Sequence, residues 1–144
     1  MKKIIIVAIA FAAFAAISKA DDRPVTVDRL PVAAKTFIKS YFPSEKISFA
    51  TKDDDLIRPD FTVMLSNGVK IDFDNSGSLD KIEVGKNVMP ADIVPVQVYD
   101  YVSAHFPDVR IVEYEVGRRS YEVKLSNGMD LRFNSRFALV EIDD

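Results

Sequence analysis

The chain has 144 residues, of which 28 % are charged and 48 % hydrophobic, and it carries a formal net charge of −3. It contains no cysteine, which excludes disulfides, thiolate metal sites, thiol nucleophiles and a lipid-modified cysteine. The length fits one domain, and the acidic balance leaves no electrostatic case for nucleic acid as a partner.

The amino terminus reads as an address. Met1-Lys2-Lys3 is basic, Ile4 to Ile17 is an unbroken apolar run, and Ser18-Lys19-Ala20 puts small residues before Asp21. That layout predicts a signal peptide over residues 1–20, cut after Ala20. The run is shorter than the ~20 residues a membrane-spanning helix needs. A periplasmic protein with no membrane span after cleavage is therefore expected. Losing Lys2, Lys3 and Lys19 takes the net charge from −3 to −6.

From residue 21 onward the same plan is written twice. Val27-Asp28-Arg29-Leu30-Pro31 leads into a helix over 32–42, whose Phe37, Ile38, Tyr41 and Phe42 form one apolar stripe. Pro31 suits a helix start, and Phe42-Pro43 stops the helix because the residue before proline avoids the α region. Ile47 to Thr51 then reads as a strand. Phe61, Val63 and Leu65 alternate before Ser66-Asn67-Gly68, and Val69, Ile71 and Phe73 alternate after it. A two-residue Asn-Gly loop would put the two apolar sets on opposite faces. A three-residue Ser-Asn-Gly loop pairs Leu65 with Val69, Val63 with Ile71 and Phe61 with Phe73, so burial selects it, with Gly68 left-handed. Leu79 to Val84 is the fourth strand, and Gly85 to Met89 reads as linker.

The second passage repeats these elements. Val94-Pro95 precedes a helix over 96–106 bearing Val98, Tyr101, Val102 and Phe106, and Asp92 is a candidate N-cap for an earlier start. Ile111 to Val116 is a strand that turns at Gly117-Arg118-Arg119. Tyr121, Val123 and Leu125 pair with Phe133, Leu131 and Met129 across Ser126-Asn127-Gly128, and Ala138 to Ile142 is the last strand. The fold class is thus α+β, a tandem repeat of a helix plus a four-stranded antiparallel sheet. The expected division is residues 21–84, a linker at 85–91, and residues 92–144, all in one domain.

The other face of the hairpins is polar. It holds Thr62, Met64, Lys70 and Asp72 in the first passage and Glu122, Lys124, Asp130 and Arg132 in the second. Met64, Lys70, Glu122, Lys124, Asp130 and Arg132 are the candidate partner-binding residues, with Met64 as apolar anchor and the charges setting specificity.

Residues 72–83, Asp-Phe-Asp-Asn-Ser-Gly-Ser-Leu-Asp-Lys-Ile-Glu, carry the oxygen ligands and glycine of a calcium-binding helix–loop–helix. Their strand-like flanks favour a turn instead. Asp53-Asp54-Asp55 is a second acidic run, read as a solvated loop. His105 is the only histidine and is expected on the outer side of its helix. No G-x-S-x-G or glycine-rich phosphate loop occurs, so no catalytic, metal or cofactor residues are expected and the chain reads as a non-enzyme.

The doubled order of elements, with Phe-Pro helix stops at 42–43 and 106–107 and Leu-Ser-Asn-Gly hairpins at 65–68 and 125–128, resembles the PepSY-like family. That family has the fold of the β-lactamase inhibitor proteins. The turn Asp74-Asn75-Ser76-Gly77-Ser78-Leu79 is similar to the one before the last strand of PepSY repeats. The resemblance implies one curved eight-stranded sheet with both helices on one face and the other face free to grip a protein. The chain departs from those inhibitors in lacking cysteine and tryptophan, so β-lactamase inhibition does not carry over. The resulting expectation is a secreted, non-catalytic binding module whose partner is an unidentified envelope or secreted protein. The alternative is a small-ligand or calcium-binding sensor using Asp72 to Glu83.

Overall fold

A computed structural model describes residues 22–53 and 60–144. The expected signal peptide, and Asp54, Asp55 and Pro59 of the long connection, lie outside these residues. In chain order the strands are β1 (Asp22–Val25), β2 (Ile47–Asp53), β3 (Asp60–Leu65), β4 (Lys70–Phe73) and β5 (Leu79–Glu83), then β6 (Ile111–Val116), β7 (Ser120–Leu125), β8 (Asp130–Asn134) and β9 (Leu139–Asp143). Helix α1 (Val32–Tyr41) lies between β1 and β2, and α2 (Val96–His105) between β5 and β6. All nine strands form one curved, unclosed antiparallel sheet in sequence order.

The expected hairpin register holds. Val63 faces Ile71 and Phe61 faces Phe73, while Val123 faces Leu131 and Tyr121 faces Phe133. The Leu65 amide donates to the Val69 carbonyl at 2.9 Å and the Leu125 amide to Met129 at 2.8 Å, closing the three-residue loops. Gly68 and Gly128 sit at φ +92° and +91°, a region where a side chain costs about 1–2 kcal/mol. Ser66 and Ser126 have matching tasks. Their hydroxyls accept the amides of Lys46 and Arg110 at 3.1 and 2.9 Å, tying each hairpin to the start of the strand beside it.

Burial explains the layering. Val25, Ala50, Val63, Ile71, Ile82, Tyr114, Val123, Leu131 and Ile142 are successive cross-strand partners, one from each strand, so they share one face. Both helices cover that face. Phe37 of α1 meets Phe73 edge-on at 5.5 Å, and Tyr101 of α2 meets Phe133 edge-on at the same distance. Phe73 and Phe133 are fully buried, each contributing roughly 1.5–3 kcal/mol by leaving water.

Two expectations need correction. The sheet has nine strands and not eight, because β1 adds to the outer edge of β2; Pro24 lacks an amide hydrogen and is accommodated because β1 is itself an edge. Asp92 does not cap α2. The helix starts at Val96 after Pro95, and Pro95 keeps Val94 out of the α region, so the helix cannot extend back to Asp92.

Candidate functional site

The face opposite the helices is built from two cross-strand rows. One runs Phe49, Met64, Lys70, Glu83, Glu113, Lys124, Asp130, Asp143. The next runs Thr51, Thr62, Asp72, Lys81, Glu115, Glu122, Arg132, Glu141 along the same strands. All six residues singled out from sequence fall in these rows. Met64, Lys70, Glu122, Lys124 and Asp130 are half-buried, and Arg132 is exposed.

Sequence reasoning missed part of this face. Lys81 and Glu83 alternate with the buried Ile82 and Val84, and Glu113 and Glu115 flank the buried Tyr114, so simple period-two alternation would have found them. Phe49 was not accessible in that way. A bulge between Ile47 and Phe49 lets Ile47 face Leu65 on the core side while Phe49 faces Met64 on the open side. Phe49 is 45 % exposed, so it and Met64 form an apolar spot near one edge of the face.

Charge decides the character of the rest. Lys70, Lys81, Lys124 and Arg132 stand against Asp72, Glu83, Glu113, Glu115, Glu122, Asp130, Glu141 and Asp143, four cations to eight carboxylates. Three pairs are joined along the rows, Lys70 to Glu83 at 3.6 Å, Lys124 to Asp130 at 3.4 Å, and Arg132 to Glu141, while Lys81 reaches diagonally across to Glu113 at 3.5 Å. Such part-exposed pairs contribute about 0–1 kcal/mol each. Burial pushes the Glu122 carboxyl above its ordinary value, and Glu115 and Asp130 push it further. Burial works to lower the Lys81 ammonium, but Glu83, Glu113 and Glu115 together hold it above its ordinary value. The middle of the face is therefore a field of negative charge with Lys81 at its centre.

At one end, Asp22, Asp53, Asp60, Asp72, Asp80, Glu115, Lys81 and Arg118 line a basin of about 490 Å³. Among the described residues, no three acidic or histidine side chains are gathered closely enough to hold a metal ion. The loop resembling a calcium site is a strand–turn–strand. Asp74 Oδ1 accepts the Ser76 and Ser78 amides at 2.9 Å each and the Ser76 hydroxyl at 2.6 Å. Burial raises the Asp74 carboxyl, but the bonds from Ser76, Ser78 and Gly77 outweigh it and the net shift is downward. In the second half Asn134 Oδ1 accepts the Arg136 and Ala138 amides in the same way, with Phe137 at φ 63° where Gly77 sits at φ +90°. The turn thus persists where the ligand pattern is lost.

The hairpin tips are engaged in holding the fold. Asn67 and Asn127 accept the amides of Val69 and Met129, and the Asn87 side chain donates to the Asn67 carbonyl at 3.0 Å. His105 is exposed, stacks on Tyr101 at 4.0 Å and lies 3.0 Å from its carbonyl. Among the described residues no helix is long and apolar enough to cross a membrane.

A family model described as "Putative beta-lactamase-inhibitor-like, PepSY-like" matches residues 59–141. Two solved Bacteroides proteins are similar over most of their length. One, from Bacteroides vulgatus, is described as a "putative periplasmic protein"; it is 35 % identical with a TM-score of 0.82, covering 86 % of this chain and 98 % of its own. The other, from Bacteroides thetaiotaomicron, is described as a "putative calcium-regulated periplasmic protein"; it is 33 % identical with a TM-score of 0.83 and the same coverage. A second Bacteroides vulgatus periplasmic protein, described as of unknown function, is 26 % identical with a TM-score of 0.82, covering 85 % of this chain and 99 % of its own. No curated protein matches.

Proposed function

This chain belongs to the PepSY-like family, and from that premise we propose that it is a non-catalytic, periplasmic binding module that holds another envelope or secreted protein against its open sheet face. Residues 21–84 and 92–144 are its two tandem units, joined by 85–91, and residues 1–20 are its signal peptide. The observation that carries the reading is the gathering of Met64, Lys70, Glu122, Lys124, Asp130 and Arg132 on one helix-free face with Phe49 beside Met64. An apolar spot supplies contact area, and an acidic field of paired charges supplies orientation. The partner is accordingly a protein with a basic surface flanking an apolar patch. A photo-crosslinker placed at Met64 in living cells tests this, since it reports only what approaches the open face.

A second reading, a calcium-responsive protein, is favoured by the carboxylate-lined basin at Asp22, Asp53, Asp60, Asp72, Asp80 and Glu115 and by the description of the 33 % identical relative. Carboxylates are the donors a hard cation takes, but a site here requires them to draw closer than they stand. Calorimetry with calcium on the mature chain tests it: absence of both heat and a shift in melting temperature removes this reading.

A further inference from the structure

We propose that the outer edge of β9 is a strand-accepting site for an extended, lysine- or arginine-bearing segment of a partner protein. Among the described residues β9 pairs only with β8, so its far side presents backbone amides and carbonyls without a neighbouring strand. What belongs there is indicated by β5, which occupies the same place in the first half. Leu79 faces Phe73 and Ile82 faces Ile71, as Leu139 faces Phe133 and Ile142 faces Leu131. The far side of β5 is taken by β6, with Ile82 opposite Tyr114. Ile82 is 0 % exposed under that cover, whereas Ile142 is 48 % exposed without it. The opposite end of the sheet has its covering strand: β1 lies on β2 with Val25 opposite Ala50. Among the described residues the sheet therefore ends at β1 and β9, and of these two edges β9 is the one without a proline.

Charge selects the occupant. On the open face Lys81 of β5 stands opposite Glu115 and bridges Glu113. The corresponding place on β9 is Glu141, paired to Arg132 on its inner side, and Asp143 stands opposite Asp130. A covering strand must therefore place cations where β6 has Glu113 and Glu115, and an apolar or aromatic residue toward Ile142. A second copy fits poorly. Antiparallel pairing of two β9 strands sets Glu141 and Asp143 against their own kind, and β1 offers Pro24, which has no amide donor. This site borders the open face and shares Glu141 and Asp143 with it, but it uses the backbone edge of β9 and does not depend on a partner covering Met64.

The test uses the mature chain and two capped peptides, Ile-Val-Lys-Tyr-Lys-Val and its parent Ile-Val-Glu-Tyr-Glu-Val, the sequence of β6. The lysine peptide is expected to slow amide hydrogen exchange within residues 139–143 and to bind roughly tenfold more tightly than the glutamate peptide. Glu141→Lys with Asp143→Lys is expected to reverse that preference. The proposal is overturned if exchange at 139–143 is unchanged by the lysine peptide, or if the peptide perturbs only the rows around Glu113 and Glu122. It is equally overturned if the chain alone dimerises through β9. The exchange measurement on the unaltered chain stands even where the double variant does not fold.

Discussion

Replacing Gly77 by alanine separates a packing glycine from a calcium-loop glycine. A Cβ at position 77 would lie 2.8 Å from the Ala34 amide nitrogen, 2.8 Å from Pro31 Cβ and 3.0 Å from Ala33 Cβ, at the first turn of α1. The nearest atoms belong to the backbone and to a proline ring, so no flexible side chain can swing away. The left-handed backbone at φ +90° adds about 1–2 kcal/mol, and forcing the turn away from the helix adds ~1–3 kcal/mol. Reduced freedom of the unfolded chain returns ~0.4–1 kcal/mol, leaving a net loss of about 3 kcal/mol. Gly68 and Gly128 are the controls: their φ values are nearly the same, but an added Cβ meets nothing within 4 Å. Their alanine variants are expected to lose only about 1 kcal/mol. Urea unfolding followed by circular dichroism, with unchanged slope, measures the difference as a midpoint roughly 1–2 M lower for Gly77→Ala than for wild type. A Gly77→Ala loss no larger than that of Gly68→Ala would refute the claim that this turn is wedged under α1.

Asp74→Asn is expected to cost under about 1 kcal/mol, since Asn134 performs the same task in the second half, whereas Asp74→Ala removes an acceptor of three bonds and costs ~1–3 kcal/mol; thermal unfolding distinguishes them. Glu122→Gln is expected to be neutral or slightly stabilising at pH 7. The folded carboxyl titrates above its ordinary value of 4.5, so its ionisation opposes folding at higher pH and the difference between variant and wild type vanishes below that value. Lys81→Met is expected to lose less than about 1 kcal/mol. The loss is full below the ordinary value of 10.5 and disappears as pH rises through the raised folded value, because the ammonium of Lys81 is held by Glu83, Glu113 and Glu115. Urea midpoints compared between wild type and variant at pH 8 and pH 12 measure this.

Much of the scaffold was legible because burial admits few alternatives. Leu-Ser-Asn-Gly could close only one loop that kept Val63 with Ile71 and Val123 with Leu131 on the same side. The helix stops at Phe42-Pro43 and Phe106-Pro107 followed from the geometry before proline. β1 was not legible: four residues containing Pro24 carry no periodicity, and they become a strand only through distant pairing with Ala50 to Asp53. Phe49 was hidden by a bulge, which breaks the alternation on which strand reading depends. The turn at Asn134 was hidden by Phe137, which takes a glycine's place at positive φ while stacking on Tyr121 at 5.0 Å. For the candidate site, the hairpins supplied six residues in advance, and the strands flanking them supplied the acidic majority that gives the face its sign.

The most direct test of the open-face reading is site-specific photo-crosslinking in the native envelope, with the reactive group at Met64 or at Gln97, an exposed position on α2. A binding surface on the open face gives a discrete adduct from Met64, lost when Glu113→Lys and Glu122→Lys are combined, and none from Gln97. An adduct from Gln97 with none from Met64 would contradict it and move the binding surface to the helices.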